Sequence, residues 1–218
     1  MFPFSLYKGC DYWVPPIISE ELESMDKEKN PVFENAEAEF YIAKKDGVTV
    51  GRIAAMVNWV EIEEQKKNKL RFGWYDTIDD LEVSKKLLES VIEFGKKRKL
   101  EFVDGPVGFS NMDKAGLLIE GYEELNTMIT WYHYPYQKEH LKKLGFSKLA
   151  EWVEYKIKIF SAEDAPEKVK KFSKIIQQRY ELKVLNFKSR KEIIPYVDKM
   201  FELLNVTCLL YTSDAADE

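Results

Sequence analysis

Residues 37–58, EAEFYIAKKDGVTVGRIAAMVN, decide the fold that this sequence predicts. Asp46-Gly47 lies between two mainly apolar runs, and an Asp-Gly pair in that setting is a strong β-hairpin signal. Phe40 and Ile42 alternate with more polar neighbours in the first run, as in a strand with one buried face. The second run is almost continuously apolar. We therefore expect a hairpin whose second strand is central in a sheet and covered on both faces.

Gly51 and Arg52 interrupt the second run. A glycine inside a strand often marks the close approach of another group, so we expect one to pack against the backbone here. An arginine on an apolar strand must reach solvent or pair with a carboxylate. Arg52 is therefore either part of a structural ion pair or a substrate-binding residue, and Asn58 at the strand end would face the same cleft.

Further elements follow the hairpin. They are a strand at 70–76, a helix from 79 to about 98, a short strand at 100–104, a helix ending at Gly145-Phe146 and a long closing strand at 149–159. Asp79 as N-cap and Glu82 three residues later resemble a capping box. After Ser161 a polar helix, a strand-like run at 182–187 and a helix capped at Ser189 repeat the start of a domain.

Composition narrows the class of protein. Hydrophobic residues make up 45% of the 218 residues, enough for a packed core. No apolar run approaches the roughly 18 residues of a membrane span and no signal pattern opens the chain, so we expect a cytoplasmic protein without a membrane partner. A formal net charge of −5 argues against nucleic-acid binding. Cys10 and Cys208 fit no metal or redox spacing, so no metal is predicted.

The element order and several short motifs resemble the GNAT superfamily of N-acetyltransferases, and more closely a little-characterised bacterial family with tandem GNAT-like domains. The matching stretches are Trp13-Val14-Pro15-Pro16, Asn30-Pro31, Gly51-Arg52-Ile53-Ala54-Ala55 with Asn58, Gly105-Pro106 with Ser110-Asn111 and Gly116, and Leu144-Gly145-Phe146. The resemblance covers residues 4–159 and continues more weakly after Ala162. Compared with that family, a first strand is missing before Phe4.

This resemblance implies an α/β fold and three segments. Residues 1–160 would form a GNAT-like mixed sheet flanked by helices. Residues 161–207 would be a linker helix and the truncated start of a second GNAT-like domain. The last stretch, CLLYTSDAADE at 208–218, looks like a translated sequencing adapter and is excluded from fold reasoning.

GNAT enzymes transfer an acyl group from acyl-CoA to an amine, which is the activity that the resemblance implies. Their CoA pyrophosphate lies on a glycine-rich loop at a helix N-terminus. The matching positions here are Asp79, Glu82 and Ser84, with no glycine and with two carboxylates that repel phosphate. We therefore expect acyl-CoA to be bound by a missing second domain that packs against this half of the protein.

The family's second landmark is a tyrosine acid four residues before the Gly-Phe pair, a position held here by Leu141. Leucine cannot donate a proton to a leaving thiolate. Tyr136, Tyr134 and His133 lie nearby and are the candidate catalytic replacements, although aromatic residues at a helix start are more often packing residues. His140, beside two lysines, is predicted to lie at the solvent edge.

A glycine-rich loop at 105–124 supplies the remaining substrate-binding candidates: Gly105, Ser110, Asn111 and Asp113. Long ordered loops often carry function, and small polar side chains leave room for a ligand. The same residue types also satisfy turns locally, so both interpretations stay open.

Two functions are therefore predicted. In the first, this half forms the acceptor cleft of an acyltransferase for a small-molecule or other amine. In the second, it is a non-catalytic GNAT-like module that binds a ligand or a protein. No Walker loop, metal cluster or Gly-x-Ser-x-Gly elbow favours another enzyme class.

Overall fold

The computed structural model describes residues 2–66, 68–110, 113–158, 161, 163–204 and 206–207. The chain separates into two compact units, Met1–Glu151 and Trp152–Glu218, called unit 1 and unit 2 below. The predicted adapter tail at 208–218 lies outside the described residues. Within the described part of the chain, no helix is long and apolar enough to cross a membrane.

Unit 1 is a mixed α/β structure. Its helices and strands are α1 (Phe2–Leu6), α2 (Ile18–Met25), β1 (Ala36–Lys45), β2 (Val48–Asn58), α3 (Trp59–Gln65), β3 (Lys69–Thr77), α4 (Leu81–Lys97), β4 (Phe102–Asp104) and α5 (Pro135–Lys143), with a short 3₁₀ helix at Pro31–Glu34. The strands form a four-stranded sheet in the order β1-β2-β3-β4. The first two pairings are antiparallel and the last is parallel. The predicted hairpin and central strand are confirmed.

Helix α4 packs on one face of the sheet because its apolar residues recur at helical spacing. The buried members of this core are Val50, Ile53, Ala55, Val57, Leu70, Phe72, Tyr75, Val83, Leu87, Leu88, Val91, Phe94 and Leu141. Gly51 permits the close approach of the helix: a Cβ at this position would lie 2.8 Å from Cδ1 of Leu87 and 3.0 Å from Cγ1 of Val83. The expected close approach at Gly51 is confirmed.

A smaller core lies on the other face of the sheet. Its buried members are Ala36, Ala38, Ala54, Met56, Trp74 and Phe109. Phe109 belongs to the long loop between β4 and α5, and its ring meets that of Trp74 at 5.9 Å between centroids. The loop is therefore part of the packed structure of unit 1 and closes the second face of the sheet.

A bulge in β3 sets the orientation of the residues that follow it. Arg52 of β2 lies opposite Asp76, whereas Ala54 lies opposite Gly73, so β3 contains one residue more than β2 between these pairs. Trp74, at the bulge, has a φ of 47°, which is unusual for a bulky residue. The bulge places Asp76 directly beside Arg52.

Unit 2 contains helices α6 (Glu167–Arg179), α7 (Arg190–Ile193) and α8 (Val197–Leu204), with a 3₁₀ turn at Ile194–Tyr196. The two strands predicted in this part of the sequence are wrong. Residues 149–158 and 182–187 carry no regular secondary structure. Their alternating apolar residues fit a strand pattern, but a strand also needs a partner edge, which local sequence does not supply.

We expect Gly51→Ala to lower the free energy of unfolding by about 1–3 kcal/mol, because the new methyl group would overpack the contact with α4. Urea denaturation measures the change. Leu87→Val in the same background would make room and should return part of the loss. Fully additive losses in the double variant would show that this contact is not the cause.

Candidate functional site

A buried carboxylate, Asp76, is the centre of the candidate site. Arg52 donates from Nε to its Oδ2 at 2.6 Å, and the Tyr7 hydroxyl donates to its Oδ1 at 2.7 Å. The register of β2 and β3 brings the arginine to the acid, while the tyrosine comes from the turn that directly follows α1. The charge on Asp76 is thus compensated by a cation and a hydrogen-bond donor, as a buried charge requires.

A narrow cleft opens beside this pair. It is lined by Pro3, Tyr7, Trp13, Val14, Pro16, Glu21, Arg52, Asp76, Lys114, Asn126, Thr130, Trp131 and Tyr132. Its second carboxylate, Glu21, lies 3.4 Å from Nη1 of Arg52. The cavity measures about 20 Å³, which is room for a single water-sized group. Two acids, two cations and aromatic walls therefore surround a very small space.

Stacked aromatic rings hold α1 and the start of α5 against this cleft. Tyr7 stacks on Trp13 at 5.1 Å between centroids and contacts Tyr134 at 5.2 Å. Tyr134 in turn stacks on Tyr136 at 5.7 Å. Two of the predicted catalytic residues thus belong to one aromatic ladder that ends at the Asp76 site.

The tyrosine hydroxyls of this ladder are hydrogen-bond donors. Burial and the charge of Asp76 raise the pKa of Tyr7 well above its usual value. Burial likewise raises the pKa of Tyr136, whose hydroxyl donates to the Thr77 carbonyl at 2.7 Å. These hydroxyls therefore keep their protons at neutral pH, where they donate hydrogen bonds and cannot serve as bases.

His133, the third predicted catalytic residue, is completely enclosed. Its Nδ1 accepts a hydrogen bond from the Leu118 backbone N–H at 3.3 Å. Burial lowers the pKa of His133 to about 4, although the charge of Asp76 acts in the opposite direction. His133 is therefore neutral at neutral pH, with its ring fixed by the long loop.

A second polar network, overlooked in the sequence, joins α4 to α5. Oγ of Ser84 lies 2.8 Å from Nδ1 of His140, and Nε2 of His140 lies 3.2 Å from Oδ1 of Asp79. The Tyr75 hydroxyl donates to Oγ of Ser84 at 2.8 Å. The prediction that His140 lies at the solvent edge is wrong, because only 5% of this residue is exposed. The sequence signal for its burial was the four-residue spacing from Leu144, which places both side chains on one face of a helix.

The three side chains of Asp79, His140 and Ser84 have the connectivity of an acyl-transfer triad, but Ser84 has no exposed surface. A substrate carbonyl cannot reach Oγ of Ser84 in this conformation. The network instead fastens α5 to α4 and β3 through satisfied hydrogen bonds.

We expect Ser84→Ala to lower the free energy of unfolding by about 1–3 kcal/mol, because it removes the buried hydroxyl that the Tyr75 hydroxyl and Nδ1 of His140 share. The matched control is Ser90→Ala on the same helix, where the exposed hydroxyl bonds only to the Lys86 carbonyl. That change should stay within about 0.5 kcal/mol. Equal effects of the two substitutions in urea denaturation would contradict the role given to the network.

The N-terminus of α4 is satisfied by the chain's own groups. Asp80, and not Asp79 as predicted, is the N-cap, and its Oδ1 accepts the Glu82 backbone N–H at 3.0 Å. This backbone hydrogen bond, with help from Lys45, lowers the pKa of the Asp80 carboxyl. A carboxylate therefore occupies the place where a helix N-terminus would bind an anion.

Structural contacts are made by four of the residues predicted to bind substrate: Asn58, Gly105, Ser110 and Asp113. Asn58 caps α3 and donates from Nδ2 to the Phe109 carbonyl at 3.3 Å. Oδ2 of Asp113 accepts from the Ser110 backbone N–H at 2.8 Å. A Cβ at Gly105 would lie 2.4 Å from the Phe72 carbonyl oxygen, so this glycine allows backbone packing.

Among the predicted substrate-binding residues, Arg52 is the one that lines the cleft at Asp76. Asn111 lies outside the described residues. Asp76, Tyr7 and Glu21 were not predicted as site residues. Within the part of the chain that the structure describes, no group of three or more His, Cys, Asp or Glu side chains could hold a metal ion.

Two known proteins are similar in sequence to this chain. Protein YghO of Escherichia coli (strain K12) is 31% identical over 157 residues, which are 70% of this chain and 40% of that protein. A protein named bacterial ceramide synthase, from Caulobacter vibrioides (strain NA1000 / CB15N), is 24% identical over 146 residues, which are 66% of this chain and 38% of that protein. The chain thus spans about two fifths of the length of these relatives. No family model and no solved structure matches it.

Proposed function

We propose that this chain is part of a GNAT-like acyltransferase that joins an acyl group to an amine, and that unit 1 holds the amine acceptor. The similarity to the protein named ceramide synthase supports acyl transfer in general terms. A ceramide is an N-acylated amino alcohol, so its synthesis forms an amide bond. The observation that carries the acceptor assignment is the buried Asp76, which lines a small cleft with a second acid, Glu21.

Amide formation requires a group that holds the amine and accepts its proton. An amine is protonated at neutral pH and must lose a proton before its nitrogen attacks the acyl carbon. Carboxylates in a site of low dielectric hold the ammonium and can accept that proton. The nitrogen–carbon bond then forms as the acyl–sulfur bond breaks. The departing thiolate then takes up a proton from the hydroxyl of Tyr136 or Tyr134. His133, buried and neutral, would support the loop that closes the site.

Acyl-CoA, the proposed cosubstrate, would bind outside unit 1. The capped and acidic N-terminus of α4 supports this part of the proposal, because phosphate would meet Asp80 and Asp79 there. In this arrangement Arg52 orients the two acids, and Asn58, Gly105, Ser110 and Asp113 hold the loop and strand end beside the acceptor.

Isothermal titration of the 218-residue chain tests the division of labour. We expect octylamine to release measurable heat and acetyl-CoA to release none. Micromolar binding of acetyl-CoA to this chain would overturn the assignment of the cosubstrate to another domain. An absence of amine binding would overturn the acceptor assignment.

The small size of the cleft favours a second candidate function, a non-catalytic GNAT-like module that binds a ligand or a protein. Both carboxylate oxygens of Asp76 already have partners in Arg52 and Tyr7. Under this alternative, the full-length protein would bind no acyl-CoA and would form no amide from radiolabelled acyl-CoA and an amine.

A further inference from the structure

The outer edge of β1 is long and unpaired. β1 is the end strand of the sheet and pairs only with β2 among the described strands. It runs for 10 residues without a proline. An edge strand presents backbone N–H and C=O groups that can pair with another strand.

The side chains along β1 follow a charge order that is complementary to itself. Glu37 and Glu39 lie in its first half, and Lys44 and Lys45 end it. Between them Phe40 is 39% exposed and Ile42 is 61% exposed. Acid, apolar and basic residues therefore follow one another along a single exposed edge.

We propose that β1 pairs with β1 of a second copy of this chain, antiparallel and about a two-fold axis. With the axis at Tyr41, Glu37 of each copy lies opposite Lys45 of the other, and Phe40 lies opposite Ile42. Such an interface uses the same patch on both copies, as two-fold dimers do. The two sheets would then become one continuous sheet.

The alternative arrangements are less favourable. A parallel pairing in register would place glutamates beside glutamates and lysines beside lysines, which is repulsive. Shifting the antiparallel axis to Ile42 still brings Lys45 opposite an acid, Glu39. Lysines on an edge usually oppose pairing, but here each end of the strand carries the charge that attracts the other end.

The charges of β1 have partners inside unit 1 but remain accessible. Glu37 accepts from Nε of Arg98 at 2.8 Å, and Lys45 lies 3.4 Å from Asp80. The side chain of Glu37 is 47% exposed and that of Lys45 is 64% exposed. Both groups can therefore form a second ion pair across the interface without giving up the first.

Sedimentation velocity of the full chain over a range of concentrations tests the proposal. We expect reversible dimers in the unmodified chain, and at least a tenfold weaker association for Lys44→Glu/Lys45→Glu and for Glu37→Lys/Glu39→Lys. A mixture of these two variants should recover dimers, because one edge is then all acidic and the other all basic. Lys142→Glu/Lys143→Glu makes the same charge change on α5, outside β1, and should dimerise normally.

Circular dichroism of each variant confirms that the fold is retained. A chain that stays monomeric at every concentration would overturn the proposal and leave the edge to a different partner strand. Dimers that survive in both charge variants, or a mixture of the two that stays monomeric, would place the interface elsewhere.

Discussion

Arg71→Ala should lower the free energy of unfolding by about 3–5 kcal/mol, the largest effect of a single substitution that we expect in unit 1. Arg71 of β3 is 2% exposed, and its guanidinium forms two hydrogen bonds to the Glu61 carboxylate of α3, at 2.9 and 2.6 Å. Without the arginine, Glu61 keeps Lys69 but loses its bidentate partner in the interior. Urea denaturation at neutral pH measures the loss.

The control for this substitution is Lys86→Ala, which removes the cation of an exposed ion pair with Glu89 on α4. We expect no measurable change there, because exposed pairs contribute little. A loss after Lys86→Ala as large as after Arg71→Ala would show that burial does not govern these energies.

The same ion pair predicts a pH dependence of stability. Burial alone would raise the pKa of Glu61, but hydrogen bonds and charges from Arg71 and Lys69 outweigh it and lower the pKa below the ordinary value of 4.5. The stabilisation is therefore complete above about pH 4.5 and is lost as pH falls through the lowered pKa. In Arg71→Ala the pKa of Glu61 is lowered less, so the acid-induced loss should be smaller and should end at a higher pH, as denaturation curves between pH 3 and 7 would report.

Local patterns sufficed for the elements whose partners are close in sequence. The Asp46-Gly47 turn, the near-continuous apolar run of β2 and the helical period of α4 each predicted the observed element. The run at 149–158 failed because alternation describes a strand only when a neighbouring edge pairs with it. That pairing depends on residues far away in sequence.

The sequence predicted that Arg52 could pair with a carboxylate, but it did not predict which residue would supply it. An arginine on an apolar strand indicated a carboxylate partner, and the structure supplies one for Arg52. Nothing local identified Asp76, because one extra residue at the β3 bulge determines which side chain stands opposite. His140 was misplaced for a related reason, since its two lysine neighbours suggested solvent while its own side chain faces Ser84.

Asp76→Asn should reduce amine acylation by the full-length protein by about 10²-fold or more in kcat/KM, if the acceptor lies where we propose. The amide keeps the size of the side chain and can still accept from Tyr7 or Arg52. It carries no charge to hold an ammonium and cannot take up its proton. The loss should therefore appear in kcat as well as in KM, measured with radiolabelled acyl-CoA and a range of amine concentrations.

Two comparisons separate this role from a general effect on folding. Asp26→Asn removes an exposed carboxylate, whose partner is Lys29 at 3.7 Å, and should leave kcat/KM unchanged. Tyr7→Phe removes the donor to Asp76 and keeps the carboxylate, so we expect a smaller decrease than in Asp76→Asn. If Asp76→Asn retains full activity with an intact fold, the acceptor lies elsewhere, because no neutral side chain could replace the buried charge on which the assignment rests.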